Sequence, residues 1–154
     1  MPEKNRPNKL IFQKISQIEN IPSKNLFKIW VNLVLHDQKR HGELLIRIVD
    51  IEEMTLLNRT HRNKNKPTNV LSFPFIDFPI NQAYFSSNFL GDIVICAPLV
   101  AIEANNEAKN LQKHWAHLTI HAVLHLLDYD HLNNIDAEIM EKLENQYLKN
   151  WNSK

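Results

Sequence analysis

Three histidines lie in the stretch HWAHLTIHAVLHLLDYDH, residues 114–131, at the spacing H-x3-H-x5-H. His121 and His125 are four residues apart, so a helix places their imidazoles on one face, close enough to share a cation. His131 follows the expected end of that helix and can fold back to complete a triad. Three neutral imidazoles around Zn²⁺ leave a fourth position open for water, which is the pattern of catalytic zinc sites. The stretch therefore predicts a helix that carries a zinc site, with one ion per chain.

Two other interpretations of these histidines stay open. With His117 the helical pair forms a stripe, and such stripes also occur as polar surface or core features without a metal. The spacing also matches metzincin peptidases, H-E-x-x-H-x-x-G-x-x-H. Ala122 occupies the position of the glutamate that serves those peptidases as general base, and Asp128 occupies the glycine position. Ala122 argues against a peptidase, and no side chain identifies itself as a general base.

Outward from this stretch, hydrophobic periodicity predicts short strands alternating with helices. Strands are predicted over 9–15, 43–49, 69–75 and 89–96, and a polar loop over 77–88. Helices are predicted from Ser23, over 51–61, from Pro98, over 113–127 and from Asp136 to about 149. Asp50 with Glu53 forms a capping-box pattern for the second helix.

The element order predicts the fold class α+β (mixed α/β). We expect a small mixed sheet of about four strands flanked by about five helices, with a histidine helix like that of the zincins.

Composition predicts a single domain spanning residues 1–154. Charged residues make up 23% of the chain and apolar residues 44%, which excludes a disordered or low-complexity chain. The net charge of +1 provides no overall attraction to nucleic acid or membrane, so binding to a polyanion must depend on a local patch. Cys96 is the one cysteine and has no disulfide partner in the chain. The longest uncharged stretches, about 14 residues, are too short to span a bilayer, and we expect a cytoplasmic protein.

A basic loop precedes the third predicted strand. Arg59, Arg62, Lys64 and Lys66 place four positive charges within eight residues that contain no acid. Such a run is commonly a solvated loop, but beside a histidine metal site we interpret it as a phosphate clamp. A guanidinium donates two parallel hydrogen bonds to a phosphate, which a lysine ammonium cannot reproduce. We therefore predict that Arg62 contacts a phosphate and that Arg59, Lys64 and Lys66 bind the substrate.

Three blocks of the sequence resemble the signatures of the YbeY family of bacterial endoribonucleases. The histidine stretch is similar to the family's H-G-x-L-H-L-x-G-Y-D-H pattern. RNKNKPTNVLSFPF (62–75) resembles its R-G-K-D-K-P-T-[DN]-V-L-S-F-P-F run, and LGDIVIC (90–96) resembles its third block. The blocks follow the family's order, and the resemblance covers about residues 40–145.

The resemblance implies a single-strand-specific, metal-dependent endoribonuclease. Family members act in maturation of the 3′ end of small-subunit rRNA and in ribosome quality control. It further implies zinc bound by His121, His125 and His131, and an essential arginine at Arg62. The expected partners are single-stranded rRNA of the small ribosomal subunit, together with ribosomal proteins or assembly GTPases.

This chain departs from the family pattern at three glycines. Ala122 and Asp128 replace the two glycines of the histidine signature, and Asn63 replaces one in the second block. We expect Asp128 to adopt the left-handed backbone that lets His131 turn back, at some cost relative to glycine. A second hypothesis is a zinc-containing ribosome assembly factor that binds rRNA without cleaving it.

Four further residues have two possible roles each. Ser72 is either a hydrogen-bonded strand serine or a substrate contact. Asp92 either orients a ligand imidazole or caps a turn. His117 is either a helix-start residue or a partner of the ligands, and Asp128 could also accept a hydrogen bond from a ligand imidazole. The acidic residues of the last predicted helix are expected to form a solvated face: Asp136, Glu138, Glu141 and Glu144.

Overall fold

Four strands and five helices make up the described part of the computed structural model, which comprises residues 8–75, 88–129 and 133–152. The strands are β1 (Lys9–Lys14), β2 (Glu43–Val49), β3 (Val70–Pro74) and β4 (Phe89–Cys96). The helices are α1 (Lys24–Asp37), α2 (Ile51–Arg62), α3 (Ala97–Asn106), α4 (Leu111–Leu126) and α5 (Asn134–Asn152). The predicted mixed fold is confirmed. Apart from Asn88, the loop predicted over 77–88 lies outside the described residues.

The strands form one sheet in the order β1-β2-β4-β3. β1, β2 and β4 run parallel, and β3 pairs antiparallel with β4 at the edge. Parallel neighbours need a crossover connection, and α1 supplies it between β1 and β2. The antiparallel edge brings the segment after α2 alongside β4, so the predicted basic loop lies close to the sheet.

The two faces of the sheet bury separate hydrophobic clusters. Alternate residues of β2 and β4, including Ile46 and Ile93, pack with Trp30 of α1 and Ile120 of α4. The opposite face is smaller, and there Val94 packs with Met54 of α2, among others. None of the described helices is both long and apolar enough to cross a membrane. The fold thus holds α4 against the larger face.

The predicted capping box of α2 and the predicted start of the last helix at Asp136 are wrong. Asp50 precedes α2 in extended conformation, but its side chain makes no cap hydrogen bond and instead accepts from the Ser16 hydroxyl at 2.5 Å. Glu53 pairs with Arg47 of β2 at 2.6 Å rather than reaching back to the cap. At α5, Asn133 accepts from the Asp136 amide at 2.9 Å, so the helix begins before Asp136. At α2, partners from other elements thus replace the predicted cap, whereas α5 uses the local cap of Asn133.

Gly91 lets the end of α4 approach the sheet. Its φ of 145° is a conformation that L-residues rarely adopt. A Cβ at this position would lie 2.4 Å from the Phe73 carbonyl oxygen and 2.8 Å from Cδ2 of Leu126. Leu126 is the last residue of α4, one position after His125.

Gly91→Ala is therefore expected to lower the free energy of unfolding by about 3 kcal/mol, combining backbone strain with overpacking. Urea denaturation of the metal-free protein measures this change. An unfolding midpoint at the same urea concentration as wild type would contradict this prediction. It would show that β4 and α4 can move apart with little loss of stability.

Candidate active site

Helix α4 presents the histidine pair. Asn110 caps the helix by accepting from the Lys113 amide at 3.0 Å. Most of the helix is buried, whereas His121 and His125 are of intermediate exposure. The Nε2 atoms of these two side chains lie 3.0 Å apart. The i, i+4 spacing thus brings the two Nε2 atoms close enough to bind one ion.

The donor pair fits a zinc ion. Two imidazole nitrogens on a tetrahedral ion, each about 2.0–2.1 Å from it, lie about 3.3 Å from each other, close to the 3.0 Å found here. Within residues 8–75, 88–129 and 133–152, no cluster of three His, Cys, Asp or Glu side chains could hold a metal. His131, the predicted third ligand, lies outside those residues. The described chain therefore supplies two nitrogen donors to the predicted site.

A buried carboxylate lies behind the pair. Glu144 of α5 is only 7% exposed. Its Oε2 is 2.5 Å from His121 Nδ1, and its Oε1 is 3.2 Å from His117 Nε2. Burial raises the pKa of Glu144, but the hydrogen bonds from His117 and His121 outweigh this effect and lower it to about 2. The carboxyl is therefore ionised at neutral pH.

Helix α4 ends in a turn that depends on a left-handed residue. Asp128 has φ of 73°, as expected from the sequence. Its amide donates to the His125 carbonyl at 3.1 Å, and the Tyr129 amide donates to the Leu124 carbonyl at 3.0 Å. These two bonds form a Schellman motif, in which glycine is the usual left-handed residue. The Tyr129 hydroxyl donates to Gln38, the C-cap residue of α1, at 2.8 Å, which anchors the chain just before the segment that contains His131.

Asp128→Gly is expected to leave the melting temperature unchanged or slightly higher, because the free energy of unfolding should rise by no more than about 1 kcal/mol. The variant should keep zinc binding. Asp128→Val should weaken zinc binding, because a β-branched residue resists positive φ. Thermal unfolding and zinc titration of both variants measure these effects. Loss of zinc in Asp128→Gly would instead give the carboxylate a role of its own, as an acceptor for a ligand imidazole.

One open cavity of about 580 Å³ joins the histidines to the basic loop. It is lined by His121 and His125 of α4, by Arg62 and Ser72, and by Asp128 at the helix end, among others. The structure thus brings five of the predicted site residues into one space. They come from three separate parts of the chain, which the antiparallel pairing of β3 with β4 and the packing of α4 on the sheet bring together.

Arg62 is held at the rim of this cavity by its surroundings. The guanidinium donates from Nη1 to the His61 carbonyl and from Nη2 to the Ser72 carbonyl, each at 3.2 Å. Its Cζ lies 5.0 Å from the centre of the Phe73 ring, a cation–π contact. Asn63, with φ of 59°, is the C-cap of α2 directly after Arg62 and adopts the left-handed conformation, which asparagine tolerates better than most residues other than glycine. These contacts limit the rotamers that Arg62 can adopt.

The other basic side chains are more peripheral. Arg59 donates to the Asn65 side chain at 3.3 Å, and Lys64 and Lys66 are exposed. None of the three lines the cavity that contains the histidines. Buried Asn58 shapes the loop by donating to the Lys66 carbonyl at 2.7 Å. A substrate contact by these three cations would therefore lie beside the cavity.

Ser72 has a structural bond of its own. Its hydroxyl donates to the carbonyl of Ala122 at 3.3 Å, which ties β3 to α4 in the turn between the two histidines. Ala122 itself is fully buried. The side chain still lines the cavity, so both predicted roles of Ser72 remain compatible with its position.

The predicted role of Asp92 in orienting a ligand imidazole does not match its position. Asp92 lies between Gly91 and Ile93 in β4, and is paired in register with Phe73 of β3. Side chains alternate along a strand, so Asp92 lies on the face of Val94, whereas α4 packs against the face of Ile93. It does not line the histidine cavity, and partial burial raises the pKa of its carboxyl.

Sequence reasoning missed two carboxylates. Glu144 was expected on a solvated face, yet it is buried in one stripe with Met140 and Tyr147 at i, i+4, i+7 spacing. A charged residue within an apolar helical stripe was the signal that could have identified it. Glu103 of α3 accepts from His114 at 2.9 Å and from the Asn69 amide at 3.2 Å, and so supports the cavity wall that Asn69 forms.

Known proteins share both this sequence and this fold. The family described as Endoribonuclease YbeY matches residues 10–152. Endoribonuclease YbeY of Buchnera aphidicola subsp. Acyrthosiphon pisum (strain APS) is 48% identical over 136 residues, which cover 88% of this chain and 85% of that protein. The solution structure of TM1509 from Thermotoga maritima superposes with a TM-score of 0.64 at 21% identity, covering 94% of this chain and 92% of that one, and shows the same fold. By the extent of the family match and the identity to this relative, the chain belongs to the YbeY family of endoribonucleases.

Proposed function

We propose that this chain is a single-strand-specific, zinc-dependent endoribonuclease that matures the 3′ end of small-subunit (16S) rRNA and takes part in ribosome quality control. The observation that carries the proposal is the shared cavity, which both imidazoles and the Arg62 guanidinium line. Nitrogen ligands for a metal ion and a phosphate-binding cation are a combination that can hydrolyse phosphodiester bonds. Membership of an endoribonuclease family supports RNA as the substrate.

His121, His125 and His131 would hold one zinc ion per chain. When bound, the ion would supply Lewis-acid polarisation of the phosphate and activation of water. The contribution of the chain is to bring two imidazole Nε2 atoms within 3.0 Å of each other at the wall of a cavity that RNA can enter. The Asp128 turn and the Tyr129–Gln38 bond would direct His131 toward them.

Arg62 would bind the scissile phosphate. Two of its five N–H groups hold the side chain to neighbouring carbonyls, and the others suit two non-bridging phosphate oxygens. Charge grows on those oxygens in the transition state, where a fixed guanidinium stabilises it without reorganisation. Arg59, Lys64, Lys66 and Ser72 would contact the flanking nucleotides, the cations through electrostatics alone.

The shape of the cavity supports the proposed specificity for single strands. The His121 and His125 nitrogens lie in a space of about 580 Å³ rather than on a flat surface. A flexible strand can direct one phosphate into such a space, whereas a paired helix keeps its phosphates at fixed spacing on a wide surface.

The remaining elements of the proposal concern context. We expect the chain to act as one domain, residues 1–154, in the cytoplasm, on small-subunit rRNA, in company with ribosomal proteins or assembly GTPases. The rival hypothesis is an assembly factor that binds rRNA and keeps zinc only as a structural ion. A peptidase is disfavoured because buried Ala122 replaces the general base.

Cleavage of a precursor of the small-subunit rRNA by purified protein tests the proposal. Wild type should cleave single-stranded precursor RNA, spare a duplex of the same sequence, and leave a panel of peptides intact. A His125→Ala protein purified in parallel controls for contaminating nuclease. Equal cleavage by both proteins, or rRNA binding without any cleavage, would favour the assembly factor.

A further inference from the structure

We infer that Glu144 is a positioning residue of the metal site. Its carboxylate orients the imidazole of His121 so that the Nε2 of His121 is available to bind the ion. This inference rests on the proposed zinc site. No motif of the sequence includes Glu144, which lies on α5, 23 residues from His121. It acts through the imidazole and touches neither substrate nor reacting atoms.

The burial of Glu144 is unusual for a glutamate. It lies in the apolar stripe of α5 with Met140 and Tyr147, at 7% exposure. A buried carboxylate is costly unless it is paired or hydrogen-bonded. Its hydrogen-bond partners among the described residues are two imidazoles, those of His117 and His121. An apolar side chain would serve packing better, so packing alone does not account for the residue.

The geometry determines which ring nitrogen of His121 carries a proton. The contact of 2.5 Å joins Nδ1 of His121 to Oε2 of Glu144, and in the usual pairing of a metal-binding imidazole with a carboxylate the ring Nδ1–H donates and the carboxylate oxygen accepts. With the proton on Nδ1, the lone pair of a ligand ring is on Nε2, the atom that lies 3.0 Å from His125 Nε2. Metal-binding histidines commonly use such a carboxylate partner, which sets the tautomer and the ring orientation.

His117 contributes by orienting the carboxylate. Its Nε2 lies 3.2 Å from Oε1 of Glu144, so the two carboxylate oxygens are engaged by two successive turns of α4. This bond restricts rotation of the carboxylate and keeps Oε2 on His121. The side chain of His117 is 37% exposed, which places it at the outer edge of the arrangement.

Glu144→Met tests the inference, because methionine keeps the length and packing of the side chain without the acceptor. We expect the zinc dissociation constant to rise by about 10- to 100-fold, measured by competition with a chromophoric chelator. Glu144→Gln keeps a neutral acceptor and should retain affinity within a few-fold of wild type. Glu138→Met is the matched control, since Glu138 is exposed on the same helix, and it should bind zinc like wild type.

Two readouts on the metal-free proteins separate positioning from structure. Long-range ¹H–¹⁵N spectra of the imidazoles should show His121 protonated on Nδ1 in wild type, and a mixture of tautomers in Glu144→Met. The melting temperature of Glu144→Met should not fall, because an apolar residue suits that stripe. A purely structural Glu144 would lower the melting temperature and leave the tautomer unchanged.

Three results would overturn the inference: zinc affinity of Glu144→Met within twofold of Glu138→Met, a wild-type His121 protonated on Nε2, or Glu144→Gln as weak as Glu144→Met. If Glu144→Met does not fold, the tautomer of His121 in wild type and the zinc affinity of Glu144→Gln test the inference instead. Failure of wild type to bind zinc would defeat the proposed function as well. Tight zinc binding by wild type with an unchanged Glu144→Met would defeat only the role of Glu144.

Discussion

Arg62→Glu is expected to reduce RNA cleavage by about 10³-fold or more while zinc content and melting temperature stay at wild-type values. Removing one preorganised donor to a transition-state oxyanion commonly costs about 10²–10³-fold, and reversing the charge adds repulsion. Folding should be unaffected because Arg62 is exposed and bonds to two backbone carbonyls at the surface. Single-turnover cleavage of a single-stranded RNA at saturating protein measures the effect.

Arg62→Lys should restore only part of the activity. A lysine ammonium is a point charge and cannot form the two parallel bonds that the guanidinium forms with a phosphate. It also loses the guanidinium group whose Cζ lies 5.0 Å from the centre of the Phe73 ring. Arg59→Glu is the matched control, because it makes the same charge change in the same segment, outside the cavity. It should weaken RNA binding, yet leave cleavage of bound RNA largely intact. Wild-type cleavage by Arg62→Lys would contradict the bidentate role.

His121→Ala and His125→Ala should each lose the zinc ion, of which wild type should hold about one per chain. Removing the hydrogen-bond partner of a metal-binding side chain lowers metal affinity by about 10- to 100-fold. We expect that removing the metal-binding side chain itself lowers it further. The two Nε2 atoms lie 3.0 Å apart, so neither ring alone can replace the pair. Metal analysis after dialysis against a weak chelator measures the loss.

RNA binding provides the second readout for these variants. His125→Ala keeps Arg62 and the basic loop, so its affinity for single-stranded RNA should remain near that of wild type while cleavage disappears. His36→Ala, an exposed histidine on α1, should keep both zinc and cleavage. Wild type that contains no zinc after expression with zinc present would contradict the metal assignment itself.

Local features of the structure were predictable to a large extent. The helix that carries His121 and His125, its end at a left-handed Asp128, and the order of strands and helices all follow from short-range periodicity and turn chemistry. Such features depend on hydrogen bonds within a few residues, which the sequence displays directly. The predicted capping box at Asp50 failed because Ser16, 34 residues away, binds Asp50, and Arg47 of the neighbouring strand β2 binds Glu53.

The composition of the site was only partly predictable. Arg62 was identified by the phosphate chemistry of guanidinium and by family resemblance, and the structure places it in the cavity of the histidines. For Asp92, orienting a ligand imidazole was one of two predicted roles, and strand periodicity could not decide it because periodicity says which residues share a face, but not which helix covers that face. Glu144 was missed because its partners lie on another helix.

The sequence by itself determined three features of this protein. They are a helix with two imidazoles on one face, a basic segment before a strand, and a mixed fold of short strands and helices. These depend on spacing along the chain, which folding does not alter. Only the tertiary structure decided the sheet order β1-β2-β4-β3 and the approach of Arg62 to the histidines. It also decided the burial of Glu144 against His121. The physical reason is that contacts between distant elements depend on strand register and on the rotation of each helix about its axis. Those quantities are set by how the whole core packs, and no local pattern specifies them.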